Sequence, residues 1–262
     1  MHTTRALEEA RLEGLPQEQR AAYEAEAARL RVEAGLAQKA AMRAALEGAG
    51  QRVVIDCSYV TQVEELHAPR HGERVREIVA QANVRSLAKQ VEIAMGMNRR
   101  SQRPVALNLT SFRGDLAAFC DHSGARSWPV RRHEEHVLDV FASEASNLVM
   151  LTPDAAAPLE GPLDPRAIYV IGGIIDKSVI KGLSLGWAEA AGVRAARLPV
   201  REHAAELGMS FDGANKTPVL SVSDVVAAMI EAGRTGGDWT AALAVALPER
   251  VRRAGVPGRR RR

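Results

Sequence analysis

The sequence predicts an α/β fold with a mainly parallel sheet, preceded by a helical arm. Three observations predict it. Short apolar runs rich in β-branched residues recur from Arg52 onward, segments of helical period stand between them, and residues 5–47 are dominated by Ala, Glu, Arg, Leu and Gln with no such run. A chain of 262 residues that is 46% hydrophobic and 26% charged can bury the core of one large domain with appendages.

From Gln17, after the break at Pro16, Tyr23, Ala27, Leu30 and Ala34 fall at helical spacing and form a thin apolar stripe on a charged helix. Gly48 and Gly50 mark the end of this arm. Val53–Tyr59 reads as a buried strand, residues 72–97 as a helix through Val75, Ile78, Val79, Leu87, Val91 and Ile93, and Val105–Thr110 as a second strand. Asn147–Leu151, Ile168–Ile171, Ala195–Leu198 and Val219–Val222 read as further strands, with a helix over Ser184–Ala191. Two closing helices are expected at Asp224–Ala232, capped by Ser223, and Asp238–Leu247, capped by Gly237 or Asp238. The organisation is an arm over residues 1–50, a main domain over 51–250 and a basic, unstructured tail over 251–262.

The net charge of +3 is unevenly spread. Residues 1–50 balance to −1, the tail from Glu249 to +6, and the middle to −2. Inside that middle, Arg99, Arg100, Arg103, Arg113, Arg126, Arg131 and Arg132 stand against only Asp115 and Asp121 between residues 98 and 133, a patch suited to phosphates. No apolar run is long enough to span a membrane, the acidic start lacks the features of a targeting peptide, and two cysteines, Cys57 and Cys120, build no disulfide framework. The expected setting is intracellular, in cytoplasm or nucleus.

The usual glycine-rich nucleotide loops and the hydrolase elbow are absent. His133-Glu134-Glu135-His136 is one residue short of a zinc-helix spacing and reads as a surface helix turn, so no metal site is expected. The informative stretch is 151–225. Gly172 and Gly173 follow a strand directly, where paired glycines let the backbone approach a ligand or pack tightly, and ligands of parallel sheets sit beyond the carboxyl ends of strands. Asp176 follows within reach of the same edge.

Taken in order, Asp56, Ser86-Leu87-x-x-Gln90, Asn98-Arg99-Arg100 and Pro104-Val105-x-Leu107-x-Leu109-Thr110 resemble the SPOUT-class family that methylates N1 of the purine at nucleotide nine of tRNA. The second half carries more of the resemblance: Leu151-Thr152-x-Asp154, the run Ile168 to Asp176, Lys181-Gly182, Ala196-Arg197-Leu198-Pro199, Val219-Leu220-Ser221-Val222, Asp238-Trp239-x-x-Ala242 and Leu247-Pro248-x-Arg250. It extends over residues 53–250.

The resemblance implies a parallel sheet with a C-terminal trefoil knot, an exception to the rule against threaded chains. It implies S-adenosyl-L-methionine as cofactor, held by Leu151, Thr152, Gly172, Gly173, Leu198, Val219, Leu220 and Val222, with Asp176 as the carboxylate beside the transferred methyl group. It implies tRNA as partner, met by Gln90, Asn98, Arg99, Arg100, Arg103, Arg131, Arg132 and Lys181, and a monomeric enzyme. Guanosine is the favoured base over adenosine. Its N1 proton must leave, a task a carboxylate could perform and adenosine does not require. The family has enzymes of both preferences with the carboxylate in both, so Asp176 does not choose between them.

Departures from the family pattern mark a divergent branch. The loop after Asp176 reads Lys-Ser-Val-Ile-Lys, Pro153 and Ala155 replace more usual residues, Met95 stands in for an aromatic, and 202–217 is long. The arm is balanced in charge where relatives are basic, which leaves it open to a protein partner. The alternative reading is a catalytically weak tRNA-binding subunit of a processing complex.

Overall fold

A computed structural model describes residues 16–59, 73–174, 182–209 and 220–247. The chain divides into two compact units, Met1–Ala40 and Ala41–Arg262. Helix α1 spans Gln17–Ala44 and begins in the first unit. Pro16 precedes its first residue and accepts the amide of Arg20 at 3.0 Å. Tyr23, Leu30, Val32 and Leu36 are exposed on it, and Arg29 pairs with Glu26 and Glu33.

In the second unit Ala45–Ala49 forms a π-type turn, and β1 follows over Arg52–Asp56. The order is then α2 (Glu73–Arg100), β2 (Ala106–Thr110), α3 (Gly114–His122), β3 (Arg131–Arg132), α4 (Val137–Val140), β4 (Leu148–Leu151), β5 (Ile168–Gly172), α5 (Leu183–Ala190), β6 (Arg194–Ala196), α6 (Val222–Thr235) and α7 (Trp239–Ala246). No described helix is long and apolar enough to cross a membrane.

The six strands lie in the order β3-β2-β1-β5-β4-β6, and every pairing is parallel. Alternate residues feed opposite faces, as the strand period requires. Val53, Ile55, Leu107, Leu109, Val149, Leu151, Tyr169 and Ile171 join one core with Leu87, Val91 and Ala94 of α2, Leu116 and Cys120 of α3, and Val226 and Met229 of α6. Val54, Leu148, Met150, Ile168 and Val170 join a second with Val137 and Ala188. Both faces are covered, which is why the strands read as unbroken apolar runs.

Three expectations are corrected, and one strand is added. Of Val219–Val222, Val219 lies outside the described residues, Leu220 and Ser221 are irregular, and Val222 opens α6. The cap of that helix is Ser221, whose side chain accepts the amide of Asp224 while Asp224 bonds back to Ser221, a reciprocal box that Ser223 does not make. His133–His136 is not a helix turn: it leaves β3 as a bend, and His136 caps α4. Arg131–Arg132 forms an edge strand that the apolar pattern did not indicate. The expected knot falls on segments that include 175–181 and 210–219, outside the described residues, as does the arginine tail.

Candidate cofactor cleft and nucleic-acid surface

Strand register brings Asp56, Thr110, Leu151, Gly172 and Ala196 to one edge of the sheet. The chain builds outward from β1 through β2 to β3, then returns through β4 to place β5 beside β1, so the strand order reverses between β1 and β5. Clefts of open parallel sheets form at such a reversal, beyond the carboxyl ends. The β4–β6 ladder continues past its strands: Thr152 donates to the Ala196 carbonyl at 2.9 Å, Arg197 donates to Ala157 and Leu159 donates to Arg197. A bidentate pair between Arg197 and Glu202, at 2.7 and 2.8 Å, fixes the turn that carries Leu198 and holds the Glu202 carboxyl below its usual range. Leu151 and Val222 are buried in one apolar cluster with Leu198 against it, and Leu198 also packs with Leu220 on a second. Of the residues implied for the cofactor, Leu151, Thr152, Gly172 and Gly173 stand at the carboxyl edge, Leu198 follows β6 there, and Leu220 and Val222 connect to them through apolar packing; Val219 lies outside the described residues.

The two glycines are explained by packing. A Cβ on Gly173 would stand 2.8 Å from the main-chain oxygen of Asp56 and 3.1 Å from Leu87, and one on Gly172 would stand 3.1 Å from the Tyr59 ring. Gly173 donates its N–H to that same Asp56 oxygen at 2.8 Å. Asp176 and Lys181 fall on 175–181, outside the described residues. The ends of that connection are held on one side by Gly173 and on the other by Gly182, whose N–H is accepted by Asp154 at 2.8 Å.

Beside the glycines lies a buried polar cluster whose roles the sequence did not reveal. The Asp56 carboxylate, fully buried, accepts the Ser58 amide at 3.1 Å, the Ser58 hydroxyl at 3.0 Å and the Thr110 hydroxyl at 3.4 Å. His136 Nε2 stands 3.8 Å from it. Because His136 Nδ1 accepts the Leu138 amide at 3.3 Å, the neutral ring carries its proton on Nε2, facing Asp56. Burial raises the Asp56 pKa, only partly offset by Ser58, His136 and Ser111. Burial likewise pushes the Tyr59 hydroxyl up, and the Cys120 thiol up to about 11, which removes it as a nucleophile at neutral pH. The signal for Asp56 was a single acid closing the apolar run of β1.

The arginine-rich stretch is not one patch. Arg99, Arg100 and Arg103 are exposed around the C-terminal end of α2, at the amino edge of the sheet, because Asn98 beside them is tied to Val105 just before β2. Asn98 itself is fully buried, donating to the Val105 carbonyl at 2.9 Å and accepting its amide at 2.8 Å, so it presents nothing to an RNA. Arg131 donates to the Leu46 carbonyl. Arg132 pairs with Asp121 at 2.9 Å and lies 4.8 Å over the Phe112 ring, and Arg126 shares the same carboxylate. Gln90 is half-buried, and its Oε1 accepts the Val222 amide at 2.7 Å. Two open grooves, of about 470 Å³ between α2 and α3 and about 440 Å³ between α2, α6 and α7, are lined by none of the residues implied for the cofactor.

A family model described as tRNA (guanine(9)-N(1))-methyltransferase TRM10/TRM10A matches residues 73–252, well over half of the chain. The chain belongs to this family. It is 31% identical over 202 residues to tRNA methyltransferase 10 homolog A of Rattus norvegicus, covering 76% of this chain and 52% of that protein. It is 27% identical over 217 residues to homolog B of Danio rerio, covering 80% of this chain and 63% of that protein. The chain therefore spans about half to just under two thirds of the length of these relatives. Among solved structures, full-length spTrm10 in complex with SAH aligns with a TM-score of 0.58 and 25% identity over 75% of this chain and 94% of that one. spTrm10(74) aligns similarly, with a TM-score of 0.57. The α/β SPOUT-type sheet with a preceding helix is thus the fold of this family member.

Proposed function

We propose that the chain methylates N1 of the purine at nucleotide nine of tRNA, with guanosine as the base and S-adenosyl-L-methionine as methyl donor. The observation that carries the reading is the match to the tRNA (guanine(9)-N(1))-methyltransferase family across nearly the whole sheet and its closing helices. The SAH bound by the similar spTrm10 structure is the demethylated form of that donor, which supports the choice of cofactor.

The residues at the carboxyl edge suit such a ligand. Leu151, Leu198, Leu220 and Val222 supply apolar walls, and the main chain about Thr152 and Gly172 supplies hydrogen-bonding groups beside them. Bound there, the cofactor would supply a sulfonium methyl group to the N1 lone pair, with sulfur keeping the electron pair of the broken bond. Asp176 is the proposed acceptor of the guanosine N1 proton. The polypeptide's larger contribution is alignment, since displacement at a methyl carbon needs donor and acceptor held in line. Nucleotide nine must be extruded from the tRNA core to reach the cleft. Arg99, Arg100 and Arg103, exposed and without ion-pair partners among the described residues, are the proposed phosphate contacts.

The test is labelled methyl transfer to paired tRNA transcripts with G or A at nucleotide nine, mapped by primer extension. A stop at nucleotide nine in the G transcript is expected. A stop only in the A transcript would overturn the base assignment, and tight tRNA binding with no transfer to either would favour the catalytically weak tRNA-binding subunit.

A further inference from the structure

We propose that the groove between α2 and α3 is a nucleic-acid subsite that takes a nucleotide beside the extruded purine and stacks its base on Phe119. The proposal rests on the reading of the chain as a tRNA methyltransferase whose target base comes to the carboxyl edge.

The groove, of about 470 Å³, falls in the size range of small-ligand clefts. One wall is a face of α2 carrying Gln81, Val84 and Arg85, and the other a face of α3 carrying Asp115, Phe119 and His122. Each set is spaced by three or four residues where it shares a helix face. Leu116 and Cys120 of α3 are buried in the core, whereas Phe119 is 42% exposed. A lone exposed aromatic side chain is ordinary. This one lines a concave surface beside Arg85, which is exposed and has no ion-pair partner among the described residues. Arg113, at the N-cap of α3, is likewise exposed and without such a partner, and Asp115 is the single acid in the lining. An aromatic face with a cation beside it suits an unpaired nucleotide: the ring stacks on any base, and the cation meets the backbone.

Position ties the groove to the target. Helix α2 runs from beyond the carboxyl edge, past Leu87 against Gly173, to the amino edge, where Asn98 is tied to Val105. Arg85 and Gln81 precede Leu87 on the carboxyl side, about 3–9 Å further along the helix axis. Helix α3 begins just after β2 ends at Thr110, at the same edge. A purine drawn to that edge brings its neighbours in the strand with it, and the groove stands beside it to receive one. Arg99, Arg100 and Arg103 are at the amino edge and cannot fix a nucleotide there.

The experiment binds the full chain, saturated with SAH, to tRNA transcripts carrying 2-aminopurine at nucleotide eight or ten, a base whose fluorescence falls on stacking. Phe119→Leu keeps an apolar side chain and removes the aromatic face. It is expected to raise the tRNA Kd about tenfold with the SAH Kd unchanged, and to give a complex brighter than wild type at one of the two probe positions. Phe119→Tyr keeps the ring and is expected to return both readings to within about twofold of wild type. Arg85→Gln is expected to lower the slope of log affinity against log salt by about one. If Phe119→Leu is too unstable to assay, Phe119→Met removes the ring with less loss of reach and must show the same loss. Unchanged tRNA affinity and equal brightness at both positions would overturn the proposal and leave the groove to a protein partner, with methyl transfer by wild type still supporting the parent reading. Equal loss in Phe119→Tyr and Phe119→Leu would also overturn it. Failure of wild type itself to bind tRNA would refute the parent reading, and the proposal with it.

Discussion

Asp56 ends β1 as a carboxyl group closed off from solvent, its oxygens turned to Ser58, Thr110 and His136. Burial favours its protonated form, so its pKa in the folded chain lies above the unfolded value of about 3.9. A carboxyl shifted in this direction lowers stability as pH rises from the unfolded pKa through the folded one, because the native state there binds more protons than the unfolded state. The Asp56→Asn chain is therefore expected to match wild type below about pH 4 and to gain on it as pH rises towards neutral. Urea midpoints across that range measure it, and a growing disadvantage of the variant with rising pH would contradict the assignment. Asn98 and Gln90 show what a single residue discloses before its structure is known. Their types and spacing were legible, and both are polar residues on an amphipathic helix. The direction of each side chain was not, since it depends on how α2 is rotated against β2 and α6. That rotation buries Asn98 against Val105 and brings the half-buried Gln90 to the Val222 amide.

At the scale of elements, the strand ends decide what the cleft can tolerate. A Cβ on Gly173 meets a main-chain oxygen that is itself held by the Gly173 amide and cannot withdraw, whereas one on Gly172 meets the edge of the Tyr59 ring. Gly173→Ala is expected to cost about 2–3 kcal/mol of unfolding free energy and Gly172→Ala about 1, read from denaturant midpoints. Equal costs would mean that the Asp56 turn is softer than its hydrogen bond implies. The central strands were legible because a sheet covered on both faces leaves runs such as VVID and LVML almost without polar interruption. Strand β3 was not, because two arginines on an edge carry no apolar pattern. The run Val219–Val222 looked like a strand by composition; the Ser221-x-x-Asp224 box, present in the same letters, outweighs β propensity and starts α6 instead.

For the whole molecule, the consequence of a parallel sheet is a division of labour between its two edges. Leu151, Thr152, Gly172 and Gly173 stand at the carboxyl edge, and the exposed arginines after Asn98, without ion-pair partners among the described residues, stand at the amino edge, so an RNA that met both would have to span the sheet. Sequence order alone had merged these arginines with Arg126 and Arg132, whose charges are shared with Asp121. The central claim is that the cofactor lies against the carboxyl ends of β4, β5 and β6. Hydrogen–deuterium exchange of the full chain with and without SAH tests it most directly. The account predicts slowed exchange in peptides covering Leu151-Thr152, Gly172-Gly173, Leu198 and Leu220–Val222, with the groove between α2 and α3 unchanged. Protection confined to that groove, or absent from the strand ends while SAH is bound, would contradict it.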